Sequence, residues 1–392
     1  MNNVRNNNMR KSNQKNRKKK TLIIVDIVLL VLILAVGYMF RNTILDWVAN
    51  TFYTPDHKSA FNNSNNIEYV DSNNNKVSPG DLQEGNYNIL CIGKDDIALN
   101  TDVMILVNIN TKKDCVTAMQ IPRDTFFTYN SVPVKFNSMF ARVYNGKNTE
   151  EDKKKGLQEM TDILSKNLSV HIDYYAMIDL KGVAEMVDLI GGVEMYVPYD
   201  MKYNDPGQNL YINLKEGQQT LTGDQARQYV RFRSGYVQAD VGRQDAQKVF
   251  IVAFLNNFRM KYTDVGVKEL ISKMEELLIT NIPSNDMLYF ALKARTMDFN
   301  NIRMLSAPGN PQYYNGVSYY VINREAVYNI IKNYYSLVED GLTLAEESFD
   351  KDRNFTLLTD ASINHWYTMH LSETTEYTAQ EISDNGIDIL LK

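Results

Sequence analysis

Hydrophobic patterning divides the chain into unlike parts. The first is an almost unbroken apolar run, Thr21 to Phe40. At helical rise its roughly 20 residues match the ~30 Å hydrocarbon core of a bilayer, which predicts one membrane-spanning helix. Residues 41–85 open with a short amphipathic stretch carrying Trp47 and Tyr53, then turn Asn-rich through Asn62-Asn63-Ser64-Asn65-Asn66 and Asn73-Asn74-Asn75. Such a composition buries little apolar surface and reads as a stalk. From Tyr87 onward short apolar runs recur. Asn88-Ile89-Leu90-Cys91-Ile92-Gly93, Val103 to Ile109 and Val116 to Ile121 predict buried strands. Thr149 to Leu168 predicts a helix, with Glu150, Glu151 and Asp152 suited to its positive N-terminal end.

Strand and helix then alternate. Tyr174 to Ile178 predicts a strand, Leu180 to Leu189 a helix, Gly191-Gly192 a break and Val193 to Val197 another strand. Thr222-Gly223-Asp224-Gln225 has the spacing of a capping box opening a helix that carries Arg227 and Tyr229, and a further helix is expected from about Val241 to Met260. Residues 265–350 suggest more helices around a strand pair, Ile302 to Leu305 and Ser318 to Val321. The alternation places the fold in the α/β (mixed α-β) class. The expected organisation is a basic head (1–20), a span (21–40), a stalk (41–85), one folded domain (86–350) and a C-terminal tail (351–392).

Composition adds little, at 44% hydrophobic and 23% charged residues, but charge distribution adds orientation. Arg5, Arg10, Lys11, Lys15, Arg17, Lys18, Lys19 and Lys20 all precede the first acidic residue, Asp26, although the net charge is −5. The positive-inside bias keeps this head in the cytoplasm and sets everything after the span outside a cell membrane, as a single-pass protein. A cleaved signal peptide is the other reading. It calls for only about 7–15 apolar residues and a small-residue cleavage site, which Gly37-Tyr38-Met39-Phe40 does not offer. A basic cluster against a span reads membrane lipid, and no nucleic-acid partner is expected. Cys91 and Cys115 sit in strand-like runs without metal or disulfide spacing and read as buried free thiols.

No phosphate loop, Gly-x-Ser-x-Gly or His-Glu-x-x-His occurs, and His365 and His370 flank bulky Trp366 and Tyr367. The remaining candidates are carboxylates and arginines at strand ends. Asp95 and Asp96 follow the glycine closing the first strand, and Asp102 precedes the second. On neighbouring strands they would converge on a hard cation such as Mg2+; otherwise they cap a turn. Arg123 and Asp124 follow Pro122 beyond the third strand. Arg231 and Arg233 lie two apart across Phe232, so an extended segment would project both from one face. Asp240 and Arg243 flank Gly242, with Gln247 one helical turn after Arg243. Guanidinium forks match phosphate oxygens, so these arginines suit a diphosphate; solvated surface charge is the alternative.

Six segments in order, Ile121-Pro122-Arg123-Asp124-Thr125, Lys135-Phe136-Asn137, Asp173-Tyr174-Tyr175, Asp188-Leu189-Ile190-Gly191-Gly192-Val193, Leu221-Thr222-Gly223-Asp224-Gln225-Ala226 and Val230-Arg231-Phe232-Arg233, resemble signatures of the LytR-CpsA-Psr family. Ser306-Ala307-Pro308-Gly309 and Gly316-Val317-Ser318-Tyr319-Tyr320 resemble its weaker C-terminal portion. The resemblance implies a central mixed sheet flanked by helices around an apolar lipid pocket. Met177, Met186, Val187 and Leu189 are then pocket-lining candidates, although each taken singly reads more readily as ordinary core. It implies that Asp95 and Asp102 hold Mg2+, that Arg123, Arg231, Arg233 and Arg243 clamp a diphosphate, and that Asp240 and Gln247 order that clamp or the metal's water shell. Asp95, Asp102, Arg123 and Asp240 are the catalytic set. The implied activity is phosphotransfer of a glycopolymer from a polyprenyl diphosphate carrier to peptidoglycan, with Asp95 or Asp240 accepting the hydroxyl proton. The other reading is a non-catalytic polyprenyl-phosphate or glycan binder regulating wall assembly. Ile97, Asn100 and Ala246 stand where the family usually has arginine, which removes positive charge from the site.

Overall fold

A computed structural model describes residues 41–55, 69–70, 84–94, 99–130, 132–144, 146, 149–168, 170–208, 210–234, 240–297, 302–335, 343–344, 355–356 and 376–378. The basic head, Asp26, the span Thr21 to Phe40, Asp95, Asp96, Ile97, His365 and His370 lie outside these residues. Among the described helices none is long and apolar enough to cross a membrane. Residues 1–53 form one compact unit and 54–392 a second. In the first unit, helix α1 (Arg41–Phe52) exposes Trp47 and Phe52, whose rings meet edge to face.

The second unit is built on a mixed sheet. Its strands are β1 (Asn86–Lys94), β2 (Thr101–Asn110), β3 (Cys115–Gln120), β6 (Tyr174–Asp179), β11 (Ile279–Thr280), β12 (Ile302–Ser306) and β15 (Glu376–Thr378), in the order β11-β6-β1-β2-β3-β12-β15. β1 runs parallel to β6, and β3 parallel to β12, while β2 is antiparallel to both β1 and β3. The side-chain period of two splits each strand between two cores. Leu90, Ile92, Met104, Leu106, Met119, Met177 and Leu305 face one side. There α2 (Glu150–Leu168) and α8 (Arg324–Tyr334) cover them with Leu157, Met160, Leu164, Val327 and Ile331. Ile105, Ala118, Ile302 and Met304 face the other side, against Val252 of α5 (Asp240–Val265). This is the three-layer solution that covers both faces of a largely buried sheet.

A second apolar cluster lies under two hairpin-like strand pairs. β7 (Val193–Val197) pairs with β10 (Gly217–Leu221), and β8 (Met201–Asp205) with β9 (Leu210–Leu214). They join α3 (Leu180–Leu189), α4 (Gly223–Arg231) and α5 around Val187, Val193, Leu214, Tyr229, Ala246 and Phe250. The capping box forms as its spacing predicts: Gln225 N donates to Thr222 Oγ1, and Thr222 N donates to the Gln225 side chain. Gly223 lets α4 start against α3, because a Cβ there would lie 2.2 Å from the Ala184 carbonyl oxygen.

Three expectations change. Ile302–Ser306 and Val317–Ile322 are not a pair: the first extends the main sheet beside β3, and the second, β14, folds back on β13 (Gly309–Tyr314). The pocket-lining candidates divide among three clusters. Met177 packs with the α2 side, Val187 with the second cluster, and Met186 and Leu189 with Leu270 of α6 (Val267–Leu277) and Ala291 of α7 (Ser284–Thr296). Cys91 and Cys115 are free but only partly buried; burial pushes the Cys91 thiol up to about 12.

Candidate functional site

The carboxyl ends of β1, β3, β6 and β12 and the start of β2 meet at one edge of the sheet. In α/β sheets that edge is where loops diverge and ligands bind. Here the turn Pro122-Arg123-Asp124-Thr125 leaves β3, closed by the Thr125 N–H and hydroxyl on the Pro122 carbonyl at 3.0 and 2.6 Å. Its outward carbonyls are taken by neighbouring segments. Asn137 N donates to Arg123 O at 3.0 Å, Phe136 N to Thr125 O at 2.8 Å, and Tyr320 N of β14 to Asp124 O at 2.8 Å. Lys135 ends the β4 (Phe126–Tyr129) and β5 (Val132–Lys135) hairpin, so the motif Lys135-Phe136-Asn137 acts by holding the arginine turn in place.

The side chains of this turn alternate in charge. Arg123 Nη1 donates to Asp102 Oδ1 at 3.2 Å, Arg123 Nε lies 3.8 Å from Asp124 Oδ1, and Lys135 Nζ reaches Asp124 Oδ2 at 3.0 Å. Arg123 is 22% and Asp102 32% exposed, so the row is fixed by the fold yet open to a ligand. The second oxygen of Asp102 accepts no hydrogen bond among the described residues. A hard carboxylate oxygen is the donor Mg2+ takes, with water and phosphate oxygens filling its octahedron, so Asp102 fits that ion. No group of three or more His, Cys, Asp or Glu side chains with metal-holding geometry exists among the described residues.

Helix α5 brings the next layer. Gln247 Nε2 donates to the Val230 carbonyl at 3.4 Å, which turns its oxygen toward Gln120 Nε2 at 3.3 Å. Gln120 is 3% exposed, and its own Oε1 has no hydrogen-bond partner among the described residues. Beside it in register stands Ser306, whose hydroxyl takes Lys248 Nζ at 2.6 Å; Lys248 also pairs with Asp245 at 2.9 Å. A buried lysine held by a carboxylate and a hydroxyl is fixed in place, joining α5 to the end of β12. Sequence reading missed Gln120, Asp245, Lys248 and Ser306. The available signal was that Gln120 shares the strand face of Ala118 and Val116, where a polar side chain needs a reason.

The expected residues divide as follows. Asp102 and Arg123 are in contact. Arg243 is 3% exposed and stands one turn before Gln247 on α5, as the spacing predicts. Asp240 is the first residue of α5, and Asp95 lies outside the described residues. The extended segment expected for Arg231 and Arg233 is corrected. Arg231 is the last residue of α4, partly buried, and Phe232 after it is extended (φ −64°, ψ 136°), while Arg233 is exposed. Phe232 ends the helix by turning its ring into the second cluster beside Tyr199. Ala246 is fully buried in that cluster, so the methyl there fills core, while Asn100 is exposed in the β1–β2 connection.

Fold and edge together define a mixed α/β domain whose strand-end arginine, Arg123, is braced by carboxylates. The sequence profile of the LytR_cpsA_psr family matches residues 53–335, and the chain belongs to that family. Among its relatives is the polyisoprenyl-teichoic acid–peptidoglycan teichoic acid transferase TagV of Bacillus subtilis (strain 168), 24% identical over 248 residues. That match spans 60% of this chain and 61% of TagV. The enzyme of the same description named TagU from Oceanobacillus iheyensis is 28% identical over 244 residues, 61% of this chain and 72% of that protein. The crystal structure of B. subtilis TagV shares the fold with a TM-score of 0.51 at 22% identity, covering 68% of this chain and 97% of that one.

Proposed function

We propose that this protein transfers a glycopolymer from a polyprenyl diphosphate carrier to peptidoglycan. The observation that carries the reading is Arg123, locked between Asp102 and Asp124 on a turn whose carbonyls two other segments hold. A guanidinium fixed in advance stabilises charge developing on a phosphoryl group without reorganising when the reaction occurs. The 6-hydroxyl of a peptidoglycan sugar attacks the phosphorus bearing the glycopolymer, polyprenyl phosphate leaves, and Asp95 or Asp240 accepts the hydroxyl proton. Arg123, Arg231, Arg233 and Arg243 clamp the diphosphate, and Gln247 orders the clamp through Gln120 and Val230. Mg2+ on Asp102 and Asp95 would neutralise phosphate charge. An apolar pocket in the same domain takes the polyprenyl chain. The names of TagV and TagU support the substrate class.

The test is incubation of the full chain with a polyprenyl diphosphate-linked oligosaccharide, Mg2+ and peptidoglycan fragments, with the joined product sought by mass spectrometry. Asp102→Ala is expected to abolish the Mg2+ dependence while polyprenyl phosphate still binds. Arg231→Ala is expected to weaken diphosphate binding roughly 10- to 150-fold, the worth of one charge-assisted contact, with Arg231→Lys recovering part of it. Wild-type rates and an unchanged Mg2+ response in both alanine variants would move the site elsewhere.

The same reading anchors the protein by Thr21 to Phe40, with the folded domain outside the cell membrane. Protease added to intact protoplasts is expected to remove that domain; full protection would reverse the topology.

A further inference from the structure

The β13–β14 hairpin carries a surface that the transfer chemistry does not use. Its two-residue loop, Asn315-Gly316, has both residues at positive φ (50° and 79°), the backbone that matches strand twist in a tight hairpin. The arm is anchored at its base. Tyr320 N is bonded to the Asp124 carbonyl, and Tyr320 OH donates to the Ala307 carbonyl at 3.0 Å. One face packs inward, where Tyr314 and Tyr319 meet the Phe126 ring edge-on at 5.9 and 4.9 Å. The cross-strand register puts Pro311, Tyr313, Ser318 and Tyr320 on the opposite face; at its base Tyr320 packs against the main core, so the open part of this face is Pro311, Tyr313 and Ser318. Tyr313 is 68% exposed, and Pro311 beside it is exposed as well. Strand rise sets Tyr313 about 7 Å beyond the Tyr320 pair, toward the tip.

We propose that this face is a stacking platform for an uncharged pyranose of the acceptor glycan, holding the strand whose hydroxyl enters the Arg123 site. The inference rests on the transferase reading and deepens it by naming where the acceptor lies. Two features select that occupant. No charged residue occurs between Arg303 and Arg324, so the arm suits a neutral ligand and offers no cation to an anionic lipid surface. The platform is continuous with the turn carrying Arg123, which the same strand holds by hydrogen bonds. The chemistry also matches. An aromatic face is electron-rich and stacks on the C–H face of a sugar ring, while the Tyr313 and Ser318 hydroxyls exchange hydrogen bonds with its hydroxyls. A platform fixed by its own turn and by Phe126 loses little entropy on binding.

The experiment titrates the full chain in detergent with a linear N-acetylglucosamine tetramer, read by calorimetry, beside a polyprenyl diphosphate titration. Wild type is expected to bind the tetramer saturably. Tyr313→Ala is expected to weaken it at least about 10-fold, the loss typical of a principal aromatic contact, with polyprenyl diphosphate binding unchanged. Tyr313→Phe is expected to retain most affinity, because the ring supplies the stacking. Arg123→Ala is expected to show the reverse, losing diphosphate and keeping the tetramer, so failure of the transferase reading and failure of the platform are separable. Absence of tetramer binding, or equal binding by Tyr313→Ala, overturns the proposal. Capture of wild type but not Tyr313→Ala by neutral phosphatidylcholine vesicles also overturns it, in favour of a membrane contact.

Discussion

Replacing Arg123 with alanine is expected to lower glycopolymer transfer by at least about 100-fold while the domain stays folded. The backbone of the turn is held by Asn137, Phe136 and Tyr320 and by the Thr125 hydroxyl, none of which depends on the guanidinium. The Asp102 and Asp124 pairs are partly exposed, so their loss costs ~1 kcal/mol of stability at most. The functional cost is larger for two reasons. A charge-assisted contact to phosphate contributes ~1.5–3 kcal/mol, and more where charge develops in the transition state. In addition, the variant leaves two carboxylates, Asp102 and Asp124, facing an anionic substrate without the cation between them. Steady-state kinetics on the carrier-linked oligosaccharide check this. A fall mainly in kcat means the contact tightens in the transition state, and a rise mainly in KM means it serves ground-state binding. Arg123→Lys is expected to recover only part of the loss, because one ammonium cannot bridge two carboxylates and a phosphate as a planar fork does. Near-wild-type transfer by Arg123→Ala would remove this turn from the mechanism.

How far such a site can be read from sequence depends on the range of the interactions that build it. β1, β2 and β3 were visible because each is a short apolar run closed by glycine or polar residues, and α4 because Thr222 and Gln225 cap it locally. Asp102 and Arg123 were legible as strand-end residues, and the hairpin pairing of β1 with β2 explains why the start of β2 reaches the turn after β3. The end of α4 was not legible. The local break signal, Ser234-Gly235, comes three to four residues later, and the chain turns earlier because Phe232 finds a buried place beside Tyr199. Gln120 and Gln247 are 127 residues apart, and the pairing of Lys248 with Ser306 spans 58, so neither contact leaves a local pattern. The hairpin strands β8 and β9 escaped for another reason: β8 buries only Met201 and has no alternation, and the alternation of its partner β9 is five residues long and gains its meaning from the second apolar cluster. Ala246 shows the converse, since a position that looked like a missing charge is filled by core.

The largest effect on stability is expected far from the arginine turn, at the opposite end of the sheet, where Asp173→Ala should cost about 3 kcal/mol or more, as breaking a buried hydrogen-bond network does. Asp173 is 1% exposed and ties β1 to the segment entering β6 in both directions. Its Oδ2 accepts from Asn88 N at 2.7 Å, its own N donates to Asn88 O at 2.8 Å, and its Oδ1 lies 3.2 Å from His171 Nε2. Asn88 in turn donates from Nδ2 to the His171 and Tyr335 carbonyls at 2.7 and 2.9 Å and accepts from Asn108 at 2.8 Å. Tyr335 OH closes the network on the Leu106 carbonyl at 2.9 Å, so four separate segments share one set of hydrogen bonds. Alanine leaves the Asn88 N–H without its acceptor and His171 without its carboxylate in a place water does not readily enter, and unmet buried groups carry their full desolvation cost. At ~2–4 °C per kcal/mol for a domain of about 150–250 residues, the melting temperature should fall by roughly 10 °C. Asp173→Asn, which keeps one acceptor oxygen for Asn88, should fall about half as far. Calorimetric melting of the three proteins checks the order, and polyprenyl diphosphate affinity per folded molecule should be the same in all of them, because none of these bonds reaches Arg123. A melting loss below about 2 °C in Asp173→Ala would mean that the network is satisfied by other partners and that the backbone ladder and apolar packing suffice to hold β1 to β6.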